Sequence, residues 1–503
     1  MNAPYAHYNY PPQFPVVMGT EEETALMVNV TGEWEQPYYF AAHLDMFIPT
    51  SLCFVANHYS GVYLQNGGLV YAGGSCDEES SGERHIDNIE RATPECVNPQ
   101  QTAMYIQANE HLMEDMAELY GQHTAEKFGK EAIIRIQRRV VDSQGNRKGC
   151  HDNFAYPYGD NYDRGYDYRL PLAGYLATRS FLTGAGYVNQ DHEFRFSQKI
   201  DGLKAVTGYS YAGYMYRTVG AQGISETAQN RLEIRCSDIN ISTWATMMRL
   251  GGVALLMAAL ETPLKQDILG HLSYQSDDVA YAEQNNAIPM GKDGMMCPDE
   301  QTYEVLDFQE RLADMFLDDL QLYTDLPLDY YYIAQELKVF CQDFRQVLAN
   351  RQPLSILADR ADWAAKFTKI LAKDAEAGSA RGYYEHARDD MLFDYIGITA
   401  QPDGSVVRKK GYGYKMRDNG AFKKSLHPKD IANAYYNAPL QTRANIRSKC
   451  IKDHAVEECT WDSVSVLLKS GVGRRIDLSD PTRATVHKQA SKELAEKAQP
   501  RDE

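Results

Sequence analysis

The sequence predicts an α+β fold, with a substantial sheet early in the chain and helices packed against it later. Short β-like runs lie between residues 16 and 97, beginning with VVMGTEEETALMVNV. A helical pattern follows in QQTAMYIQANEHLMEDMAELYGQH, where apolar residues share one broad face, and helical patterns dominate from 242 to about 395. Strands followed by helices in this way are typical of α+β domains.

Length and composition divide the chain into one large domain and a smaller one, because 503 residues exceed what a single small core usually supports. A Gly-rich, basic stretch between 400 and 425 has the composition of a linker or mobile loop. The predicted parts are a Pro- and Tyr-rich N-terminal arm (1–16), a main domain (17–400), a small C-terminal domain (401–485) and a tail (486–503).

Charge and cysteine content argue against several classes of protein. A formal net charge of −18 argues against nucleic acid or an anionic membrane surface as a partner. Nine scattered cysteines without a CxxC pair are typical of reduced, intracellular proteins. The first residues lack the pattern of a signal peptide, and the apolar run TMMRLGGVALLMAALE is interrupted by Arg249, so we predict a buried helix there. We therefore expect a cytoplasmic protein with no membrane partner.

The acidic run TEEET is the first candidate for chemistry. Successive side chains of a β-strand point to opposite faces, so Glu21 and Glu23 share one face and Glu22 takes the other. In NRLEIRCSDIN the same alternation puts Glu233 and Arg235 together, opposite an apolar face. Each strand alone is also compatible with a sheet that is simply half exposed.

Two further segments favour a nucleotide and metal site. RATPECV places Glu95 after a proline, and KGCHDNFAY places His151 and Asn153 at the start of a strand. Mg²⁺ prefers carboxylate oxygens, bound together with substrate phosphates and water. The sequence has no Walker A loop or GxGxxG motif to indicate a nucleotide independently, and His151 is also compatible with a structural role.

Taken in order, the motifs resemble the carboxylate–amine ligase branch of the glutamine-synthetase superfamily, and within it the family of Pup ligases and Pup deamidase/depupylases. MGTEEE resembles a Met-Gly-x-Glu-x-Glu strand, ERATPE matches Glu-Tyr-Ala-Thr-Pro-Glu except at Arg91, and GCHDNF resembles Gly-x-His-Glu-Asn-Tyr. YLQNGGLVYAGGS, YLATRSFLTGAGYV and DHEFRFSQKID resemble further family segments, and RLEIRCSDINIS matches except that Glu233 stands where the family has His. DWAAK, TRANIRSKC and TWDSV extend the resemblance to about residue 470.

The resemblance implies a glutamine-synthetase-like antiparallel sheet with packed helices, forming a catalytic domain that uses ATP and Mg²⁺. It also implies a two-step reaction, in which a glutamyl carboxylate takes the γ-phosphoryl group of ATP and an amine then attacks the acyl phosphate. The implied metal ligands are Glu21, Glu23, Glu95, His151 and Glu233. The implied nucleotide-binding residues are Asn153, Arg217, Arg235 and Arg443, with Arg235 also stabilising charge during catalysis.

One position departs from the family. Aligning LVYAGGS on Leu-Tyr-Leu-Asp-x-Gly-Ser puts Ala72 where the family has the Asp that orients the amine and takes its proton. A lengthened loop follows, in which Asp77, Glu78 or Asp87 could supply the base, and we favour Asp77 and Asp87 as catalytic residues. Two other interpretations are that the substrate amine needs no strong base, or that no amide-forming step takes place.

The resemblance also suggests the partners and the direction of reaction. The depupylase carries a long loop between its first two strands, whereas only about thirty residues separate VNV from YLQNGG here. This favours a ligase that joins a Pup-like modifier, or another glutamyl donor, to lysine or another amine. The basic stretches VVRKKGYGYKMR and AFKKSLHPK could attract an acidic modifier or be solvated surface. A depupylase, a small-molecule ligase and an inactive nucleotide-binding homologue remain alternatives.

Overall fold

The structure is a computed structural model of the chain. It describes residues 16–30, 32, 34–35, 38–57, 61–75, 85–138, 148–157, 163–207, 213–219, 229–270, 279–289, 296–481 and 497–501. The strands in these ranges are β1 (Met18–Asn29), β2 (Trp34–Glu35), β3 (Phe54–Asn57), β4 (Gly61–Leu64), β5 (Leu69–Ser75), β6 (His85–Ala92), β7 (Ala132–Gln137), β8 (Cys150–Pro157), β9 (Tyr187–Val188), β10 (Phe194–Arg195), β11 (Ala205–Thr207), β12 (Tyr214–Val219), β13 (Gln229–Ile234), β14 (Tyr395–Ala400), β15 (Val406–Lys410), β16 (Val456–Cys459), β17 (Ser463–Leu467) and β18 (Gly473–Asp477).

The helices are concentrated in the second half of the chain, apart from one long early helix. They are α1 (Tyr38–Ala42), α2 (Pro99–Phe128), α3 (Asp163–Thr178), α4 (Ser180–Thr183), α5 (Thr243–Leu260), α6 (Leu264–Gly270), α7 (Val279–Asn285), α8 (Glu300–Asp314), α9 (Leu328–Leu348), α10 (Asp362–Ala377), α11 (Tyr383–Met391), α12 (Tyr412–Asp418), α13 (Pro428–Tyr436) and α14 (Arg443–Asp453).

One large sheet is built around β1. Its main path runs β11, β12, β13, β8, β1, β6, β5, β4, β3, and neighbours in this path are antiparallel except β11 and β12. The second half of β1 leaves the path to pair with β2 and β7, and β7 extends the sheet to β14 and β15. The α+β prediction with a largely antiparallel sheet is confirmed.

The strand β1 alternates between buried and partly exposed residues along its whole length. Glu22 lies on the buried face, which continues to Leu26 and Val28 in the hydrophobic core, whereas Glu21 and Glu23 lie on the other face. This alternation follows from the two-residue period of an extended strand. The predicted division of the acidic run is confirmed.

On the core side of the sheet, α2 packs against β1, β7 and β14, and the almost completely buried α5 packs against α2. Among the helices that the structure describes, α5 has the length and apolar composition of a membrane span, but 94% of it is buried inside the protein. Its Arg249 is fully buried and pairs with Asp152 of β8 at 3.1 Å. The predicted buried helix is confirmed, with its single arginine serving as an ion-pair partner of the sheet.

A network of buried charges lies directly beneath Glu21 and Glu23. Glu22 is paired with Arg91, which lies opposite it on β6, at 3.1 Å, and with Arg138 at 2.9 Å. Arg138 also pairs with Glu110 of α2, which in turn pairs with Arg417 of α12. Buried charges are tolerated when each one has a hydrogen-bonded partner of opposite sign. The network therefore joins β1, β6, α2 and α12 in the core.

The stretch between 400 and 425 is not the predicted linker or mobile loop. It forms the second strand of the hairpin β14–β15, followed by α12, and the predicted domain boundary at residue 400 falls within that hairpin. Arg408 pairs with Asp115 at 2.9 Å, and Lys410 pairs with Glu114 at 3.2 Å. The Gly- and Lys-rich composition suggested a linker. The acids that neutralise these cations lie on α2, far away in the sequence, so the composition of the stretch alone could not reveal the ion pairs.

The last part of the chain forms a small three-stranded sheet, β16 to β18, which packs with α14 in a separate apolar cluster. Residues 497–501, within the predicted tail, return to this unit, where the Gln499 N–H donates to the Leu467 carbonyl at 2.8 Å. The turn after β4 holds the unit against the large sheet. Gly67 has a φ of +84°, and a Cβ there would lie 2.9 Å from the Cβ of Ala444 on α14.

We predict that Glu22→Gln destabilises the protein by about 3–5 kcal/mol, because it leaves the Arg91 and Arg138 guanidinium groups buried without their carboxylate. The urea midpoint at neutral pH measures this loss. Glu21→Gln is the matched control, since it removes the same charge one residue away on the opposite face. Equal midpoints for the two variants would contradict the division of the acidic run between core and surface.

Candidate functional site

Strand register brings four side chains together on the face of β1 opposite Glu22. Glu21 lies opposite His151 of β8, and Glu23 lies opposite Glu90 of β6. The His151 Nδ1 is 3.2 Å from Glu21 Oε2, and its Nε2 is 3.8 Å from Glu23 Oε1. Directly paired residues have Cβ atoms about 4.5–5.5 Å apart, so the register itself sets these contacts. We refer to Glu21, Glu23, Glu90 and His151 as the acidic cluster.

The absence of a side chain at Gly149 makes room for the acidic cluster. A Cβ at this position would lie 2.4 Å from Glu23 Oε1 and 2.4 Å from His151 Nε2. The Gly149 N–H donates to Glu23 Oε2 at 2.5 Å, and Asn88 Nδ2 donates to the same oxygen at 2.9 Å. Glu23 is therefore held in place by two neutral donors, which orient the carboxylate without neutralising its charge.

The acidic cluster concentrates negative charge on a face of the sheet that is only partly exposed. Burial and the neighbouring carboxylates of Glu21 and Glu23 raise the pKa of Glu90 to about 10. Burial acts in the same direction on Glu21, but hydrogen bonding and the charge of His151 outweigh it and lower the pKa of that group. Glu90 therefore carries a proton at neutral pH and donates it to Glu21. Carboxylates that repel one another in this way favour a bound cation.

A second group of charged side chains lies on the adjacent strands β12 and β13. Both carboxylate oxygens of Glu233 are engaged, Oε1 by Arg235 Nη1 at 2.6 Å and Oε2 by Arg217 Nε at 2.6 Å. Arg231 Nη2 lies 3.4 Å from Oε2. We refer to Arg217, Arg231 and Arg235 as the arginine group. The three arginines carry more positive charge than the single Glu233 carboxylate neutralises, so a surplus of positive charge lies next to the acidic cluster.

Asn153 lies between the two groups, opposite Gly19 of β1 on one side and opposite Glu233 of β13 on the other. Its Nδ2 donates to the His151 carbonyl at 3.2 Å. Its Oδ1 is buried and has no hydrogen-bond partner among the described residues. A buried acceptor without a donor is costly, so this oxygen is suited to receive a ligand. The position agrees with the predicted nucleotide-binding role of Asn153.

The structure does not bring Glu95 and Arg443 to the acidic cluster. The Glu95 carboxylate pairs with Arg443 at 2.6 Å and with Arg447 at 2.9 Å, both on α14. Although burial opposes it, the Arg447 and Arg443 guanidinium groups lower the pKa of Glu95 to about 2. These contacts attach the end of the ATPE motif to the C-terminal unit. The metal-ligand role of Glu95 and the nucleotide-binding role of Arg443 stay predictions that this geometry does not support.

Ala72, which aligns with the catalytic Asp of the family, lies on the core face of β5. Ala72 lies opposite Ile89, which is fully buried, and packs against the core rather than on the face of the acidic cluster. A carboxylate at residue 72 would therefore point away from Glu21 and Glu23. Of the predicted substitutes, Asp77 and Glu78 lie outside the described residues. Asp87 lies in β6, but its side chain is outside the described part of the structure.

Sequence reasoning missed Glu90, Arg231 and Arg447 as members of these charged groups. Arg231 could have been found by extending the alternation of Glu233 and Arg235 two residues back along the same strand. Glu90 was visible in the ERATPE motif, but its contact with Glu23 depends on the register between β1 and β6. The predicted residues that the structure does bring together on one sheet face are Glu21, Glu23, His151, Asn153, Arg217, Glu233 and Arg235.

The chemistry of the two groups fits a cation beside a polyanion. Carboxylates and imidazole nitrogens are ligands for divalent cations, and guanidinium groups pair with phosphates. Among the residues that the structure describes, no three His, Cys, Asp or Glu side chains meet at coordination distance. Binding a cation would thus require the side chains of the acidic cluster to close further, and Gly149 leaves the space for that movement.

Comparisons with known proteins agree over most of the chain. The family model described as Pup-ligase protein matches residues 31–465. A Pup–protein ligase of Acidimicrobium ferrooxidans is 24% identical over 442 residues, which cover 84% of this chain and 87% of the relative.

Two solved structures show the same fold. One is a complex between the prokaryotic ubiquitin-like protein Pup and its ligase PafA, with a TM-score of 0.72, 18% identity, and coverage of 95% of this chain and 91% of the other. The second is PafA in complex with ADP, with a TM-score of 0.66, 19% identity, and coverage of 87% and 90%. The branched sheet described above is therefore the architecture of a known class of proteins.

We predict that Gly149→Ala weakens the binding of Mn²⁺ by at least about 10-fold, because its Cβ would displace Glu23 and His151 from each other. Calorimetric titration of Mn²⁺ into the protein measures this effect. Gly270→Ala at the end of α6 is the control, since a Cβ there meets nothing within 4 Å. Unchanged Mn²⁺ affinity in Gly149→Ala would remove the acidic cluster as a cation site.

We also predict that Glu90→Gln flattens the pH dependence of stability. The pKa of Glu90 is raised from 4.5 to about 10, so the folded protein binds the extra proton throughout that interval. The stabilisation is complete below pH 4.5 and falls by up to about 1.4 kcal/mol per pH unit as the pH rises toward 10. Urea unfolding in chelator between about pH 6 and pH 9 measures the slope. Glu376→Gln, exposed on α10, should keep the parent's slope.

Proposed function

Because this chain belongs to the Pup-ligase protein family, we propose that it is an ATP-dependent ligase joining a Pup-like modifier to a protein amine. A glutamyl carboxylate of the modifier takes the γ-phosphoryl group of ATP, which gives an acyl phosphate and ADP. The amine of a lysine then attacks the acyl carbon and the bond to phosphate breaks. The products are an isopeptide bond and inorganic phosphate.

The observation that carries this proposal is the placement of the acidic cluster beside the arginine group on one face of the sheet. A metal-bound nucleotide presents a cation and a polyphosphate next to each other, so its site needs clustered ligands of both signs. The cross-strand pairs Glu21–His151, Glu233–Asn153 and Arg217–Glu233 supply this order across four strands.

The residues of each group have separate tasks in the proposed reaction. Glu21, Glu23, Glu90 and His151 would hold Mg²⁺, which when bound neutralises charge on the phosphate oxygens. Arg217 and Arg235 would stabilise the charge that develops on the transferred phosphoryl group, because guanidinium groups fixed in advance need no reorganisation during reaction. Asn153, with its free Oδ1 between the groups, would orient the bound nucleotide or its cation.

The amine step requires a base, since a lysine with a pKa of about 10.4 is protonated at neutral pH. Asp77 and Asp87 remain the candidates, because Asp87 lies in β6, the strand that carries Glu90, and Asp77 follows β5 in the sequence. Position 72 itself does not offer a place for that base. The amine is therefore expected to approach from the β5–β6 edge of the acidic cluster.

Part of the positive charge in the basic stretch 406–417 is neutralised within the fold. Arg408, Lys410 and Arg417 in that stretch are neutralised by acids of α2. The charge of these three residues is used within the fold, whereas Lys409 and Lys415 of the same stretch are exposed. The predicted attraction of an acidic modifier to this stretch would therefore depend on these two lysines.

Activity is tested by incubating the chain with ATP, Mg²⁺, a glutamate-terminated Pup-like peptide and a lysine-bearing protein. We expect ADP release and a conjugate whose mass equals both components minus water. Glu21→Gln should lower the rate of ADP release more than about 100-fold, because it removes a carboxylate from the acidic cluster. Glu376→Gln is the control with the same charge change on an exposed helix.

The same assay distinguishes the opposing direction. Cleavage of a supplied conjugate without consumption of ATP would overturn the ligase proposal in favour of a depupylase. Full ADP release by Glu21→Gln would leave the ligase in place and remove the acidic cluster from its mechanism.

A further inference from the structure

Glu233 carries an inference that goes beyond the family pattern. We propose that Glu233 is a positioning residue that holds the arginine group, and that it is not a ligand of the catalytic cation. The proposal rests on the ligase function proposed above and assigns the division of labour within that site. Glu233 therefore has a different role from Glu21 and Glu23, although all three residues carry the same charge.

The first support is that both oxygens of Glu233 are already engaged by guanidinium groups. Arg235 contacts Oε1 at 2.6 Å and Arg217 contacts Oε2 at 2.6 Å, which are lengths of strong charge-assisted hydrogen bonds. Glu233 itself is almost fully buried, with 3% of its side chain exposed. A cation bound to either oxygen would have to share it with a buried guanidinium of the same sign.

The second support is that strand register, not side-chain flexibility, places the arginines there. Arg217 lies directly opposite Glu233 across β12 and β13. Arg231 and Arg235 flank Glu233 at two residues on either side, on the same face. Arg217 is thus a direct cross-strand neighbour of Glu233, and Arg235 follows directly after the end of β13, so the backbone positions of the arginines keep all three guanidinium groups within reach of Glu233.

The third support is the spacing between the strand of Glu233 and the strands that carry the carboxylates of the acidic cluster. Strand β8 lies between β1 and β13, so the two carboxylate-bearing strands are about 9–10 Å apart. His151 lies between them, with its Nδ1 at 3.2 Å from Glu21 and 3.8 Å from Glu233, and its Nε2 at 3.8 Å from Glu23. Glu23 and Glu90, in contrast, are direct cross-strand neighbours. The carboxylates of Glu21, Glu23 and Glu90 therefore meet one another around β1 and β6, whereas that of Glu233 meets guanidinium groups.

The benefit to the reaction is orientation of Arg217 and Arg235. A free arginine side chain samples many rotamers, and fixing it costs conformational entropy when substrate binds. A carboxylate that receives one hydrogen bond from each arginine fixes both before the nucleotide arrives. Glu233 thus acts through Arg217 and Arg235 and does not itself touch the transferred group.

Titration with Mn²⁺ alone, without nucleotide, separates positioning from ligation. In Glu233→Gln we expect the Mn²⁺ dissociation constant to stay within about 3-fold of the parent, the change expected from losing one nearby screened charge. In Glu21→Gln we expect it to rise more than about 10-fold. A loss in Glu233→Gln equal to that in Glu21→Gln would overturn the proposal.

Arg217→Gln tests the same point without altering Glu233, and it applies even if Glu233→Gln fails to fold. If Glu233 were a cation ligand, removing its competing guanidinium would tighten Mn²⁺ binding by more than about 10-fold. We expect a change of less than about 3-fold, because the cation binds elsewhere. Tightening beyond 10-fold would overturn the proposal.

Steady-state kinetics test the positioning role itself. We expect Glu233→Gln to lower kcat for ADP release by about 10-fold or more while leaving the KM for ATP unchanged or lower, since the arginines keep their charge but lose their orientation. The double variant with Arg217→Gln should be no slower than the slower single variant, because both changes disable the same unit. Additive losses would contradict the proposal. If the parent releases no ADP, the ligase function fails, and the Mn²⁺ titrations still decide the role of Glu233.

Discussion

The site depends on how the pleat of β1 divides three consecutive glutamates. Glu22 points into the core, where Arg91 and Arg138 neutralise it, and Glu21 and Glu23 point to the opposite face. A shift of one residue in the pairing of β1 would bury two unpaired carboxylates and expose the third. The buried ion pairs beneath the sheet therefore fix the register on which the acidic cluster above it depends. Since β1 pairs with β2, β6, β7 and β8, this constraint extends to most of the sheet.

The same register separates charge across the surface of the site. Moving from β6 to β12, the sheet face presents carboxylates, then an imidazole, then an amide, then guanidinium groups around one carboxylate. This order is a property of neighbouring strands and is maintained by backbone hydrogen bonds, so it does not rely on flexible side chains finding one another. A ligand that carries a cation beside phosphates would match the order along its length. Electrostatic preorganisation of this kind is the largest contribution that proteins make to phosphoryl transfer.

Much of this arrangement could be predicted from sequence, because alternation along a strand is a local property. It correctly placed Glu21 with Glu23 and Glu233 with Arg235. The contacts between strands could not be derived in this way, since register is set by side chains that meet across the sheet. Glu90 was missed for that reason, and so was the orientation of Ala72 toward the core. Composition misled at 400–425, where basic residues typical of a linker are neutralised by a helix almost 300 positions earlier, as in the Arg408–Asp115 pair.

The ERATPE motif shows why a family motif cannot be read as a list of ligands. Glu90 and Glu95 are its two acids, lie five residues apart and are both only partly exposed. Desolvation and the neighbouring carboxylates together raise the pKa of Glu90 to about 10, whereas Arg447 and Arg443 outweigh desolvation and lower the pKa of Glu95 to about 2. Burial alone would raise both, so the sign of the neighbouring charge decides. Glu90 consequently requires a nearby cation to be stable as a carboxylate, whereas Glu95 already has two cationic partners, Arg443 and Arg447. The motif thus supplies one residue to the site and uses the other to hold the C-terminal unit in place.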